Sequence, residues 1–235
     1  MAKKKQAELE DEVIYEDVEN LEEEGSEAPF GDFVEKNQKL VMGIGIGLLL
    51  IVGGFFGYNW YQDQQNVEAN RDMFQAVYYF EADSFNQALN GDGQYPGFLA
   101  ITEDYPGTSA AEMANYYIGL IYLNSGNPQV AEAINYLEKV PASNTMMGMS
   151  RNVALAFAYE EQGDAQKAAE LFEDAAYIPA ANDQTTPTML MNAGRNYEQA
   201  NQPDKALRLY QTIKEEYPLS TEGLRIDKFI GRVSQ

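Results

Sequence analysis

The sequence has no cysteine and no histidine. Without cysteine there is no disulfide, no thiol nucleophile and no residue for a cysteine-linked lipid anchor. Without histidine, the commonest general base and the commonest transition-metal ligand are both missing. Basic residues are scarce: 16 Lys and Arg stand against 37 Asp and Glu, for a net charge of −21. So acidic a chain repels phosphate backbones, which excludes nucleic acid as a partner. No glycine-rich phosphate loop with its lysine is present, and no metal-ligand spacing. Acidic pairs such as Glu160/Glu161 and Glu215/Glu216 are adjacent in sequence and point in different directions on a helix. Enzymatic activity, a cofactor, a bound metal and a small-molecule substrate are therefore not expected.

Charge is absent altogether from Leu40 through Gln62, where the chain reads LVMGIGIGLLLIVGGFFGYNWYQ. About 20 helical residues, rising about 1.5 Å each, cross a bilayer core. Residues 39–61 are thus expected to form a single transmembrane helix. A cleaved signal peptide fits less well, because its apolar core is about 7–15 residues long and follows a basic start. Within the run, Gly43, Gly47, Leu50, Gly54 and Gly57 are spaced four, three, four and three apart, which places them on one helix face. In lipid, packing drives helix association, and a glycine face lets a second helix come close. The spacing leaves open whether that helix belongs to a second copy or to another protein.

The flanks set an orientation. Lys3, Lys4, Lys5, Lys36 and Lys39 precede the run, and the first basic residue after it is Arg71. Lysine and arginine bias orients a span, so the N-terminus is expected in the cytoplasm and the following domain on the far side. Tyr58, Trp60 and Tyr61 suit the outer interface. The tail, 1–38, is acidic and too poor in apolar residues to cover a core, so most of it is expected to be disordered.

Residues 62–235 are enough for one domain with its own core. Between 66 and 90, Val67, Met73, Phe74, Val77, Tyr78, Phe80 and Phe85 fall at helical spacing. Asn90-Gly91-Asp92-Gly93 and then Pro96-Gly97 break that helix. The piece DSFNQALNGDGQ lacks the alternating carboxylates and closing glutamate of a calcium loop, and reads as a turn.

The remainder repeats. Residues 149–182 and 187–220 align over 34 positions: Ala156 with Gly194, Tyr159 with Tyr197, Gly163 with Asn201, Ala168 with Ala206, Phe172 with Tyr210 and Ala175 with Ile213. An earlier unit, 110–146, fits through Gly119, Tyr122 and Gly126, then Ala133, Leu137 and Val140 two residues late, with Asn127-Pro128 absorbing the difference. A divergent unit at 66–109 precedes it, and its exit, Asp104-Tyr105-Pro106, echoes Glu216-Tyr217-Pro218. Residues 221–233, with Leu224, Ile226, Phe229 and Ile230, read as a capping helix.

This pattern resembles the tetratricopeptide repeat (TPR), a helix–turn–helix unit of 34 residues. The expected fold is all-α: one transmembrane helix, then a TPR-type α-solenoid with a C-terminal capping helix. Units of this kind stack because one helical pair cannot bury its own face. The resemblance implies a groove for a peptide or protein segment along the first helices. By register, Tyr116, Leu120 and Asn124 would line it, then Val153, Phe157 and Glu160, then Met191, Arg195 and Glu198. The basic clamp that some such domains use for a terminal carboxylate is missing; only Arg195 is placed for anything similar.

Short tail, glycine-faced span and acidic repeat domain together resemble a bacterial envelope family, the YfgM-type ancillary subunits of the Sec translocon. Those pair with a membrane-anchored periplasmic chaperone of the PpiD type. The resemblance implies an inner-membrane, single-pass protein with a periplasmic domain, whose partners are translocon subunits, the chaperone or an emerging client. The phrases DYPGTSAAEMANYYIG and EEYPLS also look like those of other envelope scaffolds, so a structural scaffold, homodimeric through its span, stays open beside it.

Overall fold

The computed structural model of the chain describes residues 36–179 and 181–234. The acidic tail, 1–38, therefore lies almost wholly outside the described residues. Every regular element among them is helical: α1 (Gln38–Glu81), α2 (Phe85–Asn90), α3 (Phe98–Asp104), α4 (Ser109–Asn124), α5 (Val130–Glu138), α6 (Met146–Gln162), α7 (Ala165–Tyr177), α8 (Thr186–Gln199), α9 (Pro203–Glu216) and α10 (Asp227–Val233). A 3-10 turn at Gly223–Arg225 precedes the last helix. The chain divides into two units between Trp60 and Tyr61.

In the first unit, α1 is the one helix among the described residues long and apolar enough to cross a membrane, and none of its apolar window is buried within the chain. Its leucines, its isoleucines, Phe55 and Phe56 all face outward. Among the described residues, no atom outside the helix lies within 4 Å of where a Cβ would stand on Gly43, Gly47, Gly54 or Gly57.

The second unit is built of helical pairs, α4/α5, α6/α7 and α8/α9. Their ends are set locally. Thr108, Thr145 and Asp164 each accept a hydrogen bond from the backbone N–H three residues on, at the starts of α4, α6 and α7, satisfying donors that the helix leaves free. Pro187 and Pro203 stand in the first turns of α8 and α9, where a missing N–H costs nothing. The turn inside each of the two aligned repeats has a left-handed residue at the same register, Gly163 at φ 86° and Asn201 at φ 57°. These are the two residue types that adopt this conformation most readily.

Packing follows the repeat. Ala168, Phe172, Ala175, Ala206, Tyr210 and Ile213 are all fully buried, as are Ala133 and Leu137 in the earlier unit. A Cβ at Gly194 would stand less than 3.0 Å from the Tyr210 ring, and one at Gly119 equally close to the Leu137 side chain. Glycine there lets the two helices of a pair close onto a large residue of the second. Between units, one contact recurs: the Tyr159 hydroxyl donates to Glu138 at 3.2 Å and that of Tyr197 to Glu173 at 2.9 Å. Each tyrosine also carries a lysine eight residues on, Lys167 at 4.2 Å and Lys205 at 4.8 Å from the ring centre. The Glu173 carboxylate and burial together hold the Tyr197 hydroxyl well above its ordinary range, burial contributing most.

The Asp104-Tyr105-Pro106 echo is structural as well. Tyr105 and Tyr217 both end a helix, at φ −125°, ψ 50° and φ −126°, ψ 46°. Thr108 and Ser220 then bond back to the tyrosine carbonyls at 2.7 and 2.8 Å and accept from the N–H three residues further on. Tyr105 is tied in addition to Asp72 on α1 at 2.6 Å, which pushes its hydroxyl pKa up to about 12.

Two expectations are corrected. The single helix anticipated over 66–90 is broken at Asp83, whose φ is 54°, into the end of α1 and the short α2. Within that stretch Met73 is buried with Ala69 and Ala76, whereas Val67, Phe74 and Tyr78 lie on the opposite, exposed face; helical spacing could not tell the two faces apart. The cap helix begins at Asp227 instead of 221, and Leu224, in the preceding turn, is 76% exposed instead of packed. Ile226 is the residue that plugs the end of the core.

Candidate functional site

Helices α4, α6 and α8 leave an apolar groove of about 500 Å³ between them. Tyr116 and Leu120 of α4 form one wall and Met149, Ser150, Val153, Ala154 and Phe157 of α6 the floor, with Phe172 of α7 behind. The far wall is Thr188, Met189 and Asn192 of α8, together with Gln184 and Thr185 of the loop before it. Phe157 is 46% exposed and meets Phe172 edge to face at 5.1 Å. Phe172 is itself wedged in the core, so Phe157 is a positioned aromatic surface. Burial in the wall pushes the Tyr116 hydroxyl pKa up, with Ser150 opposing.

Of the residues read from the sequence, Tyr116, Leu120, Val153 and Phe157 come together in this groove. Asn124 is exposed beyond its end and donates to the Leu120 carbonyl at 2.8 Å. Glu160, also outside the lining, accepts from the Asn196 amide at 2.6 Å. Arg195 is exposed and lines no part of it. Met191 and Glu198 do not stand on a groove wall. Met191 is 3% exposed, within the core cluster that contains Ile226. Glu198 is gripped by Arg232 at 2.6 and 2.7 Å and by the Tyr210 hydroxyl at 2.5 Å. The cause is the cap: Thr188 donates to Glu222 at 3.1 Å, so segment 222–232 runs along the α8 face that carries 188, 191 and 198. Burial disfavours ionisation of Glu198, but hydrogen bonds from Arg232 and Tyr210 outweigh it and hold its carboxyl below the usual range. Gly43, Gly47, Leu50, Gly54 and Gly57 share one face of α1 in the first unit.

The sequence did not reveal the part played by 184–192. Ser150 and Thr188 lie one turn before Val153 and Asn192 and were within reach of the periodic reading; the loop residues Gln184 and Thr185 carry no periodic signal. Beside the groove, and sharing Gln184 and Thr188 with it, lies a second cavity of about 780 Å³. Its wall is the 216–222 turn with Asp183, and among the described residues its charged side chains are Asp183, Glu216 and Glu222. No three carboxylates among the described residues converge closely enough to hold a metal ion.

Stacked helical pairs with an open apolar groove define a helical-repeat interaction domain. A family model described as the tetratricopeptide repeat matches residues 189–220, so this all-helical domain contains a TPR unit, a protein–protein interaction module. No curated protein and no solved structure matches the chain significantly.

Proposed function

We propose that the chain is a membrane-anchored ancillary subunit of the protein-translocation channel. The N-terminus lies in the cytoplasm, 39–61 crosses the inner membrane, and the repeat domain works in the periplasm, holding an anchored chaperone or an emerging client near the channel. The groove of Tyr116, Leu120, Val153 and Phe157 carries this reading, because it offers apolar side chains that the described residues leave uncovered, in a size suited to a protein segment. The span-length helix and the lysines before it support the placement. The domain boundaries that go with it are a divergent unit at 66–109, repeats at 110–146, 149–182 and 187–220, and a cap at 221–233.

A second reading is a scaffold that homodimerises through its span. The unoccupied space over Gly43, Gly47, Gly54 and Gly57 favours it, since a second copy fits there as well as a foreign helix. A photo-reactive residue at Gly47, crosslinked in intact membranes and read by mass spectrometry, separates the two. Adducts with channel or chaperone subunits are expected. Adducts with the chain itself alone would replace the first reading by the second.

A further inference from the structure

The groove's lining is almost free of charge, yet its surroundings are not. Helices α4, α6 and α8 carry Glu112, Glu160, Glu161 and Glu198 against two cations, Arg151 and Arg195. Arg151 bonds Asn152 at 2.8 Å, a residue that lines a different cavity. Glu198 is neutralised by Arg232, and Arg195 adds to the positive field there. Beyond the shared wall of Gln184 and Thr188 lies the larger cavity, where no Lys or Arg among the described residues stands in the lining with Asp183, Glu216 and Glu222. Asp183 and Glu216 are exposed; Glu222 is buried and bonded to Thr188. The nearby cation Lys214 is paired with Asp227 at 2.8 Å. Apolar groove and acidic cavity are thus neighbours across two shared residues, inside a domain whose 24 acidic and 11 basic residues after position 61 add a negative field at longer range.

We propose that the occupant is a cationic internal segment: an apolar anchor seated between Tyr116, Val153 and Phe157, followed by Lys or Arg side chains that enter the cavity of Asp183, Glu216 and Glu222. A segment ending in its own carboxylate, or flanked by acids, meets uncompensated negative charge there and is rejected. This specificity rests on the groove reading and adds to it the charge and the position of the charge.

The test uses the full chain in lipid nanodiscs and three fluorescent nonapeptides with the same central Leu-Phe anchor, flanked by lysines, by serines or by glutamates. Anisotropy is read at two salt concentrations. The lysine peptide is expected to bind about tenfold more tightly than the serine peptide at low salt, on the scale of two or three exposed ion pairs, and to lose most of that margin at high salt. Asp183→Asn with Glu216→Gln, both at exposed positions, should bring the lysine peptide down to the serine level and leave the serine peptide unchanged. Phe157→Ser should abolish binding of both. Equal or tighter binding of the glutamate peptide, or a margin that survives Asp183→Asn/Glu216→Gln, overturns the charge assignment and leaves the groove standing. A lysine peptide unaffected by Phe157→Ser would be held by acidic surface elsewhere, and no binding by any peptide would remove the groove reading itself.

Discussion

Gly194 is where the repeat packing can be tested most sharply. Replacing it by alanine sets two effects against each other. Glycine in a helix interior is about 1 kcal/mol less favourable than alanine, so on propensity alone Gly194→Ala stabilises. The added methyl, however, would stand less than 3.0 Å from two ring atoms of Tyr210. That ring cannot simply withdraw, because it is fully buried, its hydroxyl is bonded to Glu198, and Phe229 packs against it with centroids 5.6 Å apart. Overpacking of this kind costs about 1–3 kcal/mol. The net expectation is a loss of about 1 kcal/mol, or about 2–4 °C in Tm for a domain of this size. The preceding repeat supplies the control: at the same register Ala156 sits in one core cluster with Phe172, which has no hydroxyl to be tied. Gly194→Ala combined with Tyr210→Phe recreates that pair, and its loss should be smaller than the sum of the two single losses by about 1 kcal/mol. Thermal unfolding of the four proteins, followed by helical circular dichroism, gives the coupling. A rise in Tm for Gly194→Ala alone, or strict additivity, would refute the close approach as the reason for glycine.

The left-handed turns give a paired test: Gly163→Ala should lower stability by about 1 kcal/mol and Asn201→Ala by a similar amount, while Asn201→Gly should stay within a few tenths, all by chemical denaturation. Glu198 contributes on the acid side. Its carboxyl is depressed in the fold, so its contribution is complete above the unfolded pKa of about 4.3 and is lost as pH falls through the lower, folded value. The stability gap between the protein and Glu198→Gln should therefore shrink below about pH 4 and not above pH 6. Tyr105 contributes on the alkaline side, with the opposite sign. Its folded pKa is raised to about 12, so its contribution is complete below about pH 10 and fades as pH climbs toward 12. Tyr105→Phe should cost stability at pH 8 and flatten the decline above pH 10.

Ala168, Phe172, Ala206 and Tyr210 were readable because a close helix pair constrains size at fixed offsets, and a second copy 38 residues on repeats the constraint. Asn201 was readable for the same reason, since few residues other than glycine tolerate its φ. Met191 was misplaced by the same register that placed Val153. The two are equivalent by sequence, but α8 is followed by the cap, whose Ile226 shares its core cluster, so equivalence in the repeat did not mean equivalence in exposure. Residues 183–186 belong to neither aligned repeat, yet Asp183, Gln184 and Thr185 help wall the two cavities. A loop has no period to betray its position, and its role emerges only once the helices on either side are placed.

The cap also sets how strongly the groove can hold a partner. Thr188–Glu222 near one end of α8 and Glu198–Arg232 near the other close the third row of the solenoid, leaving the rows of Tyr116/Leu120 and Val153/Phe157 as the open apolar surface. About 500 Å³ lies in the lower half of the range for ligand sites. It accommodates a few anchor side chains rather than a long helix laid along the whole domain. Such an anchor, even with added ion pairs, gives modest affinity in free solution. A partner anchored in the same membrane meets the groove at an effective concentration that reaches the millimolar range, and weak contacts then suffice. On the proposed reading the span is therefore part of the binding function: an otherwise identical chain lacking 39–61 should bind the lysine peptide unchanged yet fail to retain a membrane-anchored partner.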